Sequence, residues 1–270
     1  MPTSVRHRLH IARHLAWRLT HTPLAIAYRR YEDREVGRIK GSSEPFPTAM
    51  VATIIATYRR PEGLLAAVRS ALAQTITDHL VVVVDDGGGL PVLPDDPRLV
   101  SVSLSRNYGC LGMVRNVGLR ATRSEFVAFL DDDNTWTPDH LAISLDAHRA
   151  GASITYTALL RVLPDGTLFD IFSVPFDRTV RWRNPVDSNA LVLRRRPEVI
   201  FSRIPKLKED HELIWRLSRR QEVVHVPVPT VRYLVNASSY YTNWTDTLCN
   251  RDQLPAASPV AASPVVDGGR

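Results

Sequence analysis

Three consecutive aspartates, Asp131-Asp132-Asp133, close the apolar run Phe126-Val-Ala-Phe-Leu130 and precede Asn134-Thr-Trp136-Thr-Pro138. Adjacent carboxylates repel one another and are tolerable at a strand end where a cation or hydrogen-bond donors neutralise them. Mg²⁺ or Mn²⁺ suits such a group, because hard cations take oxygen ligands and commonly bridge one or two carboxylates to substrate phosphates. The bland alternative is a solvated acidic turn, which the strand before it and Trp136 and Pro138 after it disfavour. A second acidic pair, Asp85-Asp86, ends Leu80-Val-Val-Val-Val84 and precedes three glycines. A carboxylate there can accept from the imide N–H of uracil, and glycine lets backbone approach a ligand. An ordinary Asp-Gly turn explains the same residues equally well. Thirdly, Asn107-Tyr-Gly-Cys-Leu-Gly-Met-Val-Arg115-Asn-Val-Gly118 is a loop entering a helix. Arg115 offers a guanidinium for diphosphate oxygens, or is simply a surface arginine.

The elements that must position these residues follow from hydrophobic period. Val51–Ala56 is an apolar run ending at Thr57-Tyr58-Arg59-Arg60-Pro61. Glu62–Gln74 carries Leu65, Val68 and Leu72 at helical spacing. Leu80–Val84 is a continuous β-branched run, typical of strands buried on both faces in a parallel sheet. Strand 99–104, helix 113–121, strand 126–130, helix 138–150 and strand 153–158 continue the alternation. This pattern predicts an α/β domain, a doubly wound and mostly parallel sheet flanked by helices with right-handed crossovers. Ligands of such sheets sit beyond the carboxyl ends of the strands, where Thr57-Tyr58, Asp85-Asp86 and Asp131–Asp133 all fall. Past residue 158 the rhythm loosens. Segments 160–163 and 167–172 flank the turn Pro164-Asp165-Gly166, 175–187 is loop-like with Phe176 and Trp182, and 190–193 is a short strand. Helix 209–219 and the extended, proline-interrupted segment 223–235 complete an irregular second half.

The chain has 270 residues, 44 % of them hydrophobic, and a net charge of +6. Residues 1–40 hold nine Arg or Lys against three Asp or Glu, so they carry all of that charge and the other 230 residues sum to zero. A charge-neutral body without a recognition motif excludes a basic nucleic-acid binder. No 18-residue apolar run suggests a spanning helix, and no apolar segment with a cleavage site suggests a secretory signal. Cys110 and Cys249 lie far apart and form no CxxC pair, which fits a reducing cytoplasm. The organisation expected is a basic extension over 1–47, one α/β domain over 48–250 (a regular half over 48–158 and a looser one over 159–250), and a disordered tail over 251–270 rich in Pro, Ala, Ser and Val. Val5, Leu9, Ala12, Leu15, Ala16 and Leu19 form a stripe opposite Arg6, His10, Arg13, His14 and Arg18. Such a helix suits an anionic membrane surface, here the inner face of the cell membrane, or docks on the body or on a partner.

Taken in order, Ile-Ile-Ala-Thr-Tyr-Arg-Arg-Pro61, Val-Val-Val-Val-Asp-Asp-Gly87, Arg115-Asn116-Val-Gly118, Phe-Leu-Asp-Asp-Asp-Asn134 with Trp136 and Pro138, and Lys208-Glu-Asp-His211 resemble glycosyltransferase family 2, inverting enzymes of the GT-A fold. The resemblance spans roughly residues 50–220. It implies a nucleoside-diphosphate sugar donor, UDP by family habit and by the placement of Asp86. Thr57, Tyr58, Arg59, Asp86, Arg115, Asp131 and Asp132 would hold the donor, and Asp133 would bind Mg²⁺ or Mn²⁺. Asp210 would be the general base. Asp187, with Trp182 and Glu209, would face a glycan, lipid-linked or small-molecule acceptor. Two departures matter: Asp-Asp-Gly-Gly stands where Asp-Asp-Gly-Ser is usual, and the Gln/Arg-x-x-Arg-Trp motif of processive synthases is absent. A single addition is therefore implied rather than polymerisation. The resemblance assigns His211 no role.

Two other classes compete. A nucleotidyltransferase-like enzyme would favour a glycine-rich, lysine-containing signature after the first strand, where Thr57-Tyr-Arg-Arg60 stands instead. A catalytically silent sugar-nucleotide-binding protein is disfavoured by the intact Asp133 and Asp210. The basic segment generates its own expectation. Deleting residues 1–40 should leave hydrolysis of the soluble donor intact and weaken binding to anionic liposomes, and unchanged liposome binding would remove the membrane reading.

Overall fold

The computed structural model describes residues 3–42, 45–177, 186–204 and 209–235, with side chains of the first helix from Thr22 to Gly41. Trp182 and the 251–270 tail lie outside the described residues.

The elements in chain order are α1 (Thr3–Ser42), β1 (Val51–Thr57), α2 (Pro61–Leu72), β2 (His79–Asp85), β3 (Leu99–Ser103), α3 (Leu111–Ala121), β4 (Phe126–Asp131), β5 (Thr135–Trp136), α4 (His140–Arg149), β6 (Ile154–Val162), β7 (Leu168–Phe172), a single 3₁₀ turn (Ser188–Ala190), β8 (Leu191–Arg194), α5 (Glu209–Leu217) and β9 (Val223–Leu234). Among the described residues the strands form one sheet of order β3-β2-β1-β4-β8-β6-β9-β5, with β7 beside β6. Strands β3, β2, β1 and β4 are mutually parallel. Strand β8 runs against both β4 and β6, and β9 runs parallel to β6. The α/β class with a mostly parallel sheet, expected from the continuous apolar runs, is the class found.

The continuous runs follow from double-sided burial. Every residue of β1 and of β2 is buried, because helices cover both faces. Each fully buried Val, Leu or Ile contributes roughly 1.5–3 kcal/mol of transfer free energy. Helix α2 starts on Pro61, whose missing N–H costs nothing at a first turn, and buries Leu64, Ala67, Val68 and Ala71. Helix α3 is buried from Gly112 to Leu119, including Arg115 and Asn116, so it lies in the core rather than on the surface. Its Gly118 lies against β1 and β2, where a Cβ would come within 2.7 Å of Ile54 Cγ2 and 2.9 Å of Val84 Cγ2.

Several boundaries differ from the sequence-based expectation. Segments 153–158 and 160–163 are one nine-residue strand, β6, with irregular register at Arg161/Val162; Leu159 keeps the pairing because it faces Phe172 and Val231. The two-residue β5 was not anticipated. Pro227 and Pro229 sit within β9 where its register against β6 shifts. Pairing of β9 with β5 involves only Val231 and Arg232, so both prolines lie where one side of the strand is open, as proline requires.

Helix α1 packs along α3 with its second half. Val36 and Ile39 join the core, and Tyr28 and Tyr31 pack against it. Glu32, fully buried, accepts from Arg120 Nη1 at 2.7 Å, Arg203 Nε at 2.7 Å and Asn116 Nδ2 at 3.1 Å. Deleting residues 1–40 therefore strips core side chains from the body and leaves Arg120 and Arg203 without their shared carboxylate. That deletion does not separate membrane contact from folding. A truncation ending before Thr22 does. No described helix is long and apolar enough to cross a membrane.

Overpacking at the α3–sheet contact is expected to be costly. Gly118→Ala should destabilise the fold by about 1–3 kcal/mol, read as a lower denaturant midpoint with an unchanged slope. A midpoint equal to wild type would mean that the helix can move off the sheet without cost.

Candidate active site

The carboxyl ends of β1, β2 and β4 open into a cleft of about 560 Å³, lined by Thr57, Tyr58, Arg60, Asp86, Asn107, Gly109, Cys110, Asp131, Asp132, Asp133 and Tyr233 among others. A volume of this size lies within the range usual for small-molecule and cofactor sites. Asp131 diverges from Asp132 and Asp133, which share Arg60 Nη1. Asp131 points inward, accepting from Arg115 Nη2 and from Asn189 Nδ2 at 2.9 Å. Asp132 is buried and accepts from Thr57 Oγ1 at 2.7 Å and Arg60 Nη1 at 3.1 Å. Asp133 is partly exposed and takes Arg60 Nη1 at 2.7 Å. Burial, then the charge of Asp131, pushes the Asp133 carboxyl up to about 6, against the pull of Arg60.

The residues after β1 are held tightly. Arg59 adopts φ +54°, a left-handed conformation that costs a non-glycine residue roughly 1–2 kcal/mol. It stacks over the Tyr58 ring at 5.2 Å. Gly88 is pressed against this pair: a Cβ there would lie 2.9 Å from Arg59 N and 2.9 Å from Tyr58 Cδ2. Asp85 accepts from the backbone N–H groups of Gly88 and Gly89 at 2.8 and 3.0 Å. Asp86 lines the cleft and accepts from Tyr108 N and Gly109 N, both at 2.9 Å. Burial raises its pKa against these donors. Each of its oxygens keeps a further lone pair for a ligand donor.

Arg115 does not face the open cleft. It is 3 % exposed, donates to Asp131 and to Ser188 Oγ at 3.0 Å, and lies 3.7 Å from Glu209 Oε1. Its guanidinium also sits over the Phe201 ring at 5.1 Å. It is therefore a buried residue and not a surface one. Its charge gathers carboxylates instead. Asp187 accepts from Asn189 N at 2.8 Å and Asn189 Nδ2 at 2.6 Å. Burial, then the charges of Asp131 and Asp210, lifts Asp187 to about 7. Burial and then Glu209 lift Asp210 to about 6, and burial raises Glu209 against the pull of Arg115. Asp131, Asp187, Glu209 and Asp210 therefore share one electrostatic neighbourhood behind the cleft's acidic edge, around a single buried arginine. Asp210 and Glu209 reach it from the first turn of α5, where the helix dipole favours negative charge.

Three organising residues were not anticipated: Arg60, Ser188 and Asn189. The Asn189 amide spans the gap between Asp131 and Asp187, and it also accepts from Asp131 N at 2.6 Å. Trp136 Nε1 donates to Asn189 O at 2.8 Å, so the tryptophan after the acidic triplet anchors that turn. The only sequence signal was Arg60 next to Pro61 at a strand end. Asn189 lies 58 residues from Asp131 and gave none.

Parallel strands ending in acidic residues around such a cleft define the class of GT-A glycosyltransferases, whose solved members share this fold. S. aureus TarS 1-349, in complex with UDP-GlcNAc, aligns at TM-score 0.55 with 19 % identity, covering 71 % of this chain and 60 % of that one. The mannosyltransferase PcManGT from Pyrobaculum calidifontis, in complex with GDP-Man and Mn²⁺, aligns at 0.53 with 17 % identity, covering 82 % and 69 %. Residues 52–188 match the family model Glycosyl transferase family 2, and the chain belongs to that family. The succinoglycan biosynthesis protein ExoO of Rhizobium meliloti is 38 % identical over 129 residues, 46 % of this chain and 37 % of its own length. Chondroitin synthase of Escherichia coli is 30 % identical over 150 residues, 52 % of this chain and 21 % of its own length. The chain thus matches about a third or less of these curated relatives.

Linkage gives the carboxylate cluster a pH signature. Asp187 and Asp210 bind protons more tightly folded than unfolded, so their contribution to stability is complete below about pH 4 and is lost as pH rises through about 6–7. Ligand-free protein should therefore lose stability steadily between pH 4 and 7.5. Asp187→Asn should flatten the decline. A variant whose melting temperature tracked wild type at every pH would show that Asp187 is ionised throughout.

Proposed function

We propose that this chain transfers a single sugar from a nucleoside-diphosphate sugar to an acceptor hydroxyl, with inversion at the anomeric carbon. The observation that carries the reading is the cleft itself: Asp86 and Asp131–Asp133 meet at the carboxyl ends of β2 and β4, with Asp210 in the carboxylate cluster behind them. TarS binds UDP-GlcNAc and PcManGT binds GDP-Man, so a sugar nucleotide is the ligand class favoured. UDP is preferred because Asp86 suits an imide N–H. Thr57 and Tyr58 line the wall beside it, and with Arg59, which stacks on Tyr58, they are proposed for the donor, with Asp131 and Asp132 toward the ribose. Residues 48–158 are read as the donor half and 159–250 as the acceptor half.

The residues present fit a divalent cation. Asp132 and Asp133 converge on one positive group, the Arg60 guanidinium, which marks the place a cation would take. Mg²⁺ or Mn²⁺ can be held by one or two carboxylates and completed by phosphate. A cation bound at Asp133 supplies Lewis-acid neutralisation of the diphosphate leaving group. Arg60, which lines the same cleft, would be freed from the carboxylates by the cation and could turn to diphosphate oxygens, a role the sequence suggested for Arg115. Asp210 takes the proton of the acceptor hydroxyl as the sugar–diphosphate bond breaks; its pKa of about 6 leaves it ionised yet basic enough to act near neutrality. Arg115 and Asn189 hold Asp131 and Asp187 in place beside it. Asp187, Glu209 and Trp182 are proposed for the acceptor side, whether the acceptor is a glycan, a lipid-linked sugar or a small molecule. Residues 1–21 are proposed to touch an anionic membrane from the cytoplasmic side.

Two substitutions separate the roles. Asp133→Ala should weaken Mn²⁺-dependent donor binding, while Asp210→Asn should leave nucleotide affinity in place and lower transfer by roughly 10²–10⁴-fold, a loss in kcat rather than donor KM. Near-full transfer by Asp210→Asn would assign the base elsewhere, with Asp187 and Glu209 next to test. For the donor, a thermal-shift panel of nucleotide sugars with and without Mn²⁺ should show about 2.7 kcal/mol of stabilisation at a hundredfold excess over Kd. No shift with any of them would favour a different activity.

A further inference from the structure

The loop between β3 and α3 forms one wall of the cleft through Asn107, Gly109 and Cys110. Ser105 Oγ lies 3.1 Å from Tyr108 Oη within the loop, but further supports come from outside it. Tyr108, at its centre, is held at three points by groups from elsewhere. Its N–H donates to Asp86 Oδ1 at 2.9 Å. Its carbonyl accepts from Tyr28 Oη at 2.9 Å. Its phenol donates to Glu35 Oε1 at 2.9 Å. The last two partners belong to α1. Glu35 is 3 % exposed, and the same oxygen also accepts from Ser105 N at 3.1 Å and from Ser105 Oγ. Its other oxygen is held by Arg38 Nε at 2.9 Å and Nη2 at 2.7 Å. Arg38 ties this group back to the end of β3 through Ser103 O at 2.6 Å. The Tyr31 ring packs on the Tyr108 ring at 5.4 Å, and Arg106 lies over both.

We infer that α1 is a working part of the donor site: Tyr28 and Glu35 position the Tyr108–Gly109 backbone that orients Asp86, and so set nucleotide affinity without touching the nucleotide. This inference rests on reading the cleft as the donor site. A buried carboxylate that gathers three donors from one loop does more than anchor a helix. Glu32 shows the contrast on the same helix: equally buried, it binds Arg120, Arg203 and Asn116 and makes no hydrogen bond to the 105–110 loop. The chain of contacts is short, since each step from Glu35 or Tyr28 to Tyr108, and from Tyr108 to Asp86, is one hydrogen bond. Loss of one bond to a positioned loop corresponds to about tenfold in affinity.

The test uses the full chain, with UDP, GDP and dTDP as probes in the presence of Mn²⁺, and compares Tyr28→Phe, Glu35→Gln and Glu32→Gln by calorimetric binding and by thermal melting. Tyr28→Phe removes one oxygen and keeps the ring packing, so it remains informative even where Glu35→Gln melts early. The expected result is about tenfold weaker binding of the preferred nucleotide for Tyr28→Phe and Glu35→Gln, with donor KM raised and kcat largely kept. Glu32→Gln should lower the melting temperature and leave the Kd at its wild-type value. If Tyr28→Phe and Glu35→Gln bind nucleotide as wild type does, or if Glu32→Gln weakens binding to the same degree, α1 is only a structural brace and the inference is overturned. If the wild-type chain binds none of the three nucleotides, the donor-site reading fails first and takes this inference with it.

Discussion

Three carboxylates in sequence at the end of one buried strand must each find a neutralising group, and the arrangement around the cleft answers that constraint. Asp131 is neutralised apart from the other two, which share Arg60. Asp131 goes to Arg115 and Asn189, Asp132 to Thr57 and Arg60, and Asp133 to Arg60 at the cleft surface. The pleat separates successive side chains, but partners had to be supplied from four places: the end of β1, the start of α2, the body of α3 and the turn before β8. Burial of Arg115 is costly by itself and tolerable because carboxylates surround it. Removing it would leave those carboxylates buried and uncompensated.

The same constraint explains why the reversed strand matters. β8 runs antiparallel between β4 and β6, so the turn that precedes it arrives at the carboxyl end of β4 rather than at the opposite edge. Ser188 and Asn189 are thereby delivered to Asp131. Helix α5 brings Glu209 and Asp210 to the same neighbourhood. The irregular half of the chain is irregular because it returns repeatedly to one point, the acidic end of β4.

Much of this was legible in the sequence. Continuous apolar runs identified β1, β2 and β4, because burial on both faces leaves no polar alternation, and the acidic groups at their ends located the cleft. Burial of α3 on nearly all sides was not legible. Arg115 and Asn116 look like surface residues by type, and only the contacts with Glu32, Asp131 and Phe201 show otherwise. Asn189 and Ser188 carry no local signal, since their partners are far away in the chain. Docking of α1 on the body was one of the alternatives its amphipathic stripe left open, but nothing in its composition marks the two buried glutamates that carry the docking. Asp86 was singled out for its position, yet two of its acceptor sites are taken by backbone, a use that pattern reading does not register.

The pairing of Glu32 with Arg203 joins residues 171 positions apart. Chains are made from the amino end at about 5–20 residues per second, so the arginine follows the glutamate out of the ribosome by roughly 10–30 s. The central strands β1, β2 and β4 are all complete by residue 131 and are free to assemble well before that. Asn116 and Arg120 are within reach of Glu32 long before then. For that interval the growing chain carries a helix that has its place in the core but not yet its last counter-ion.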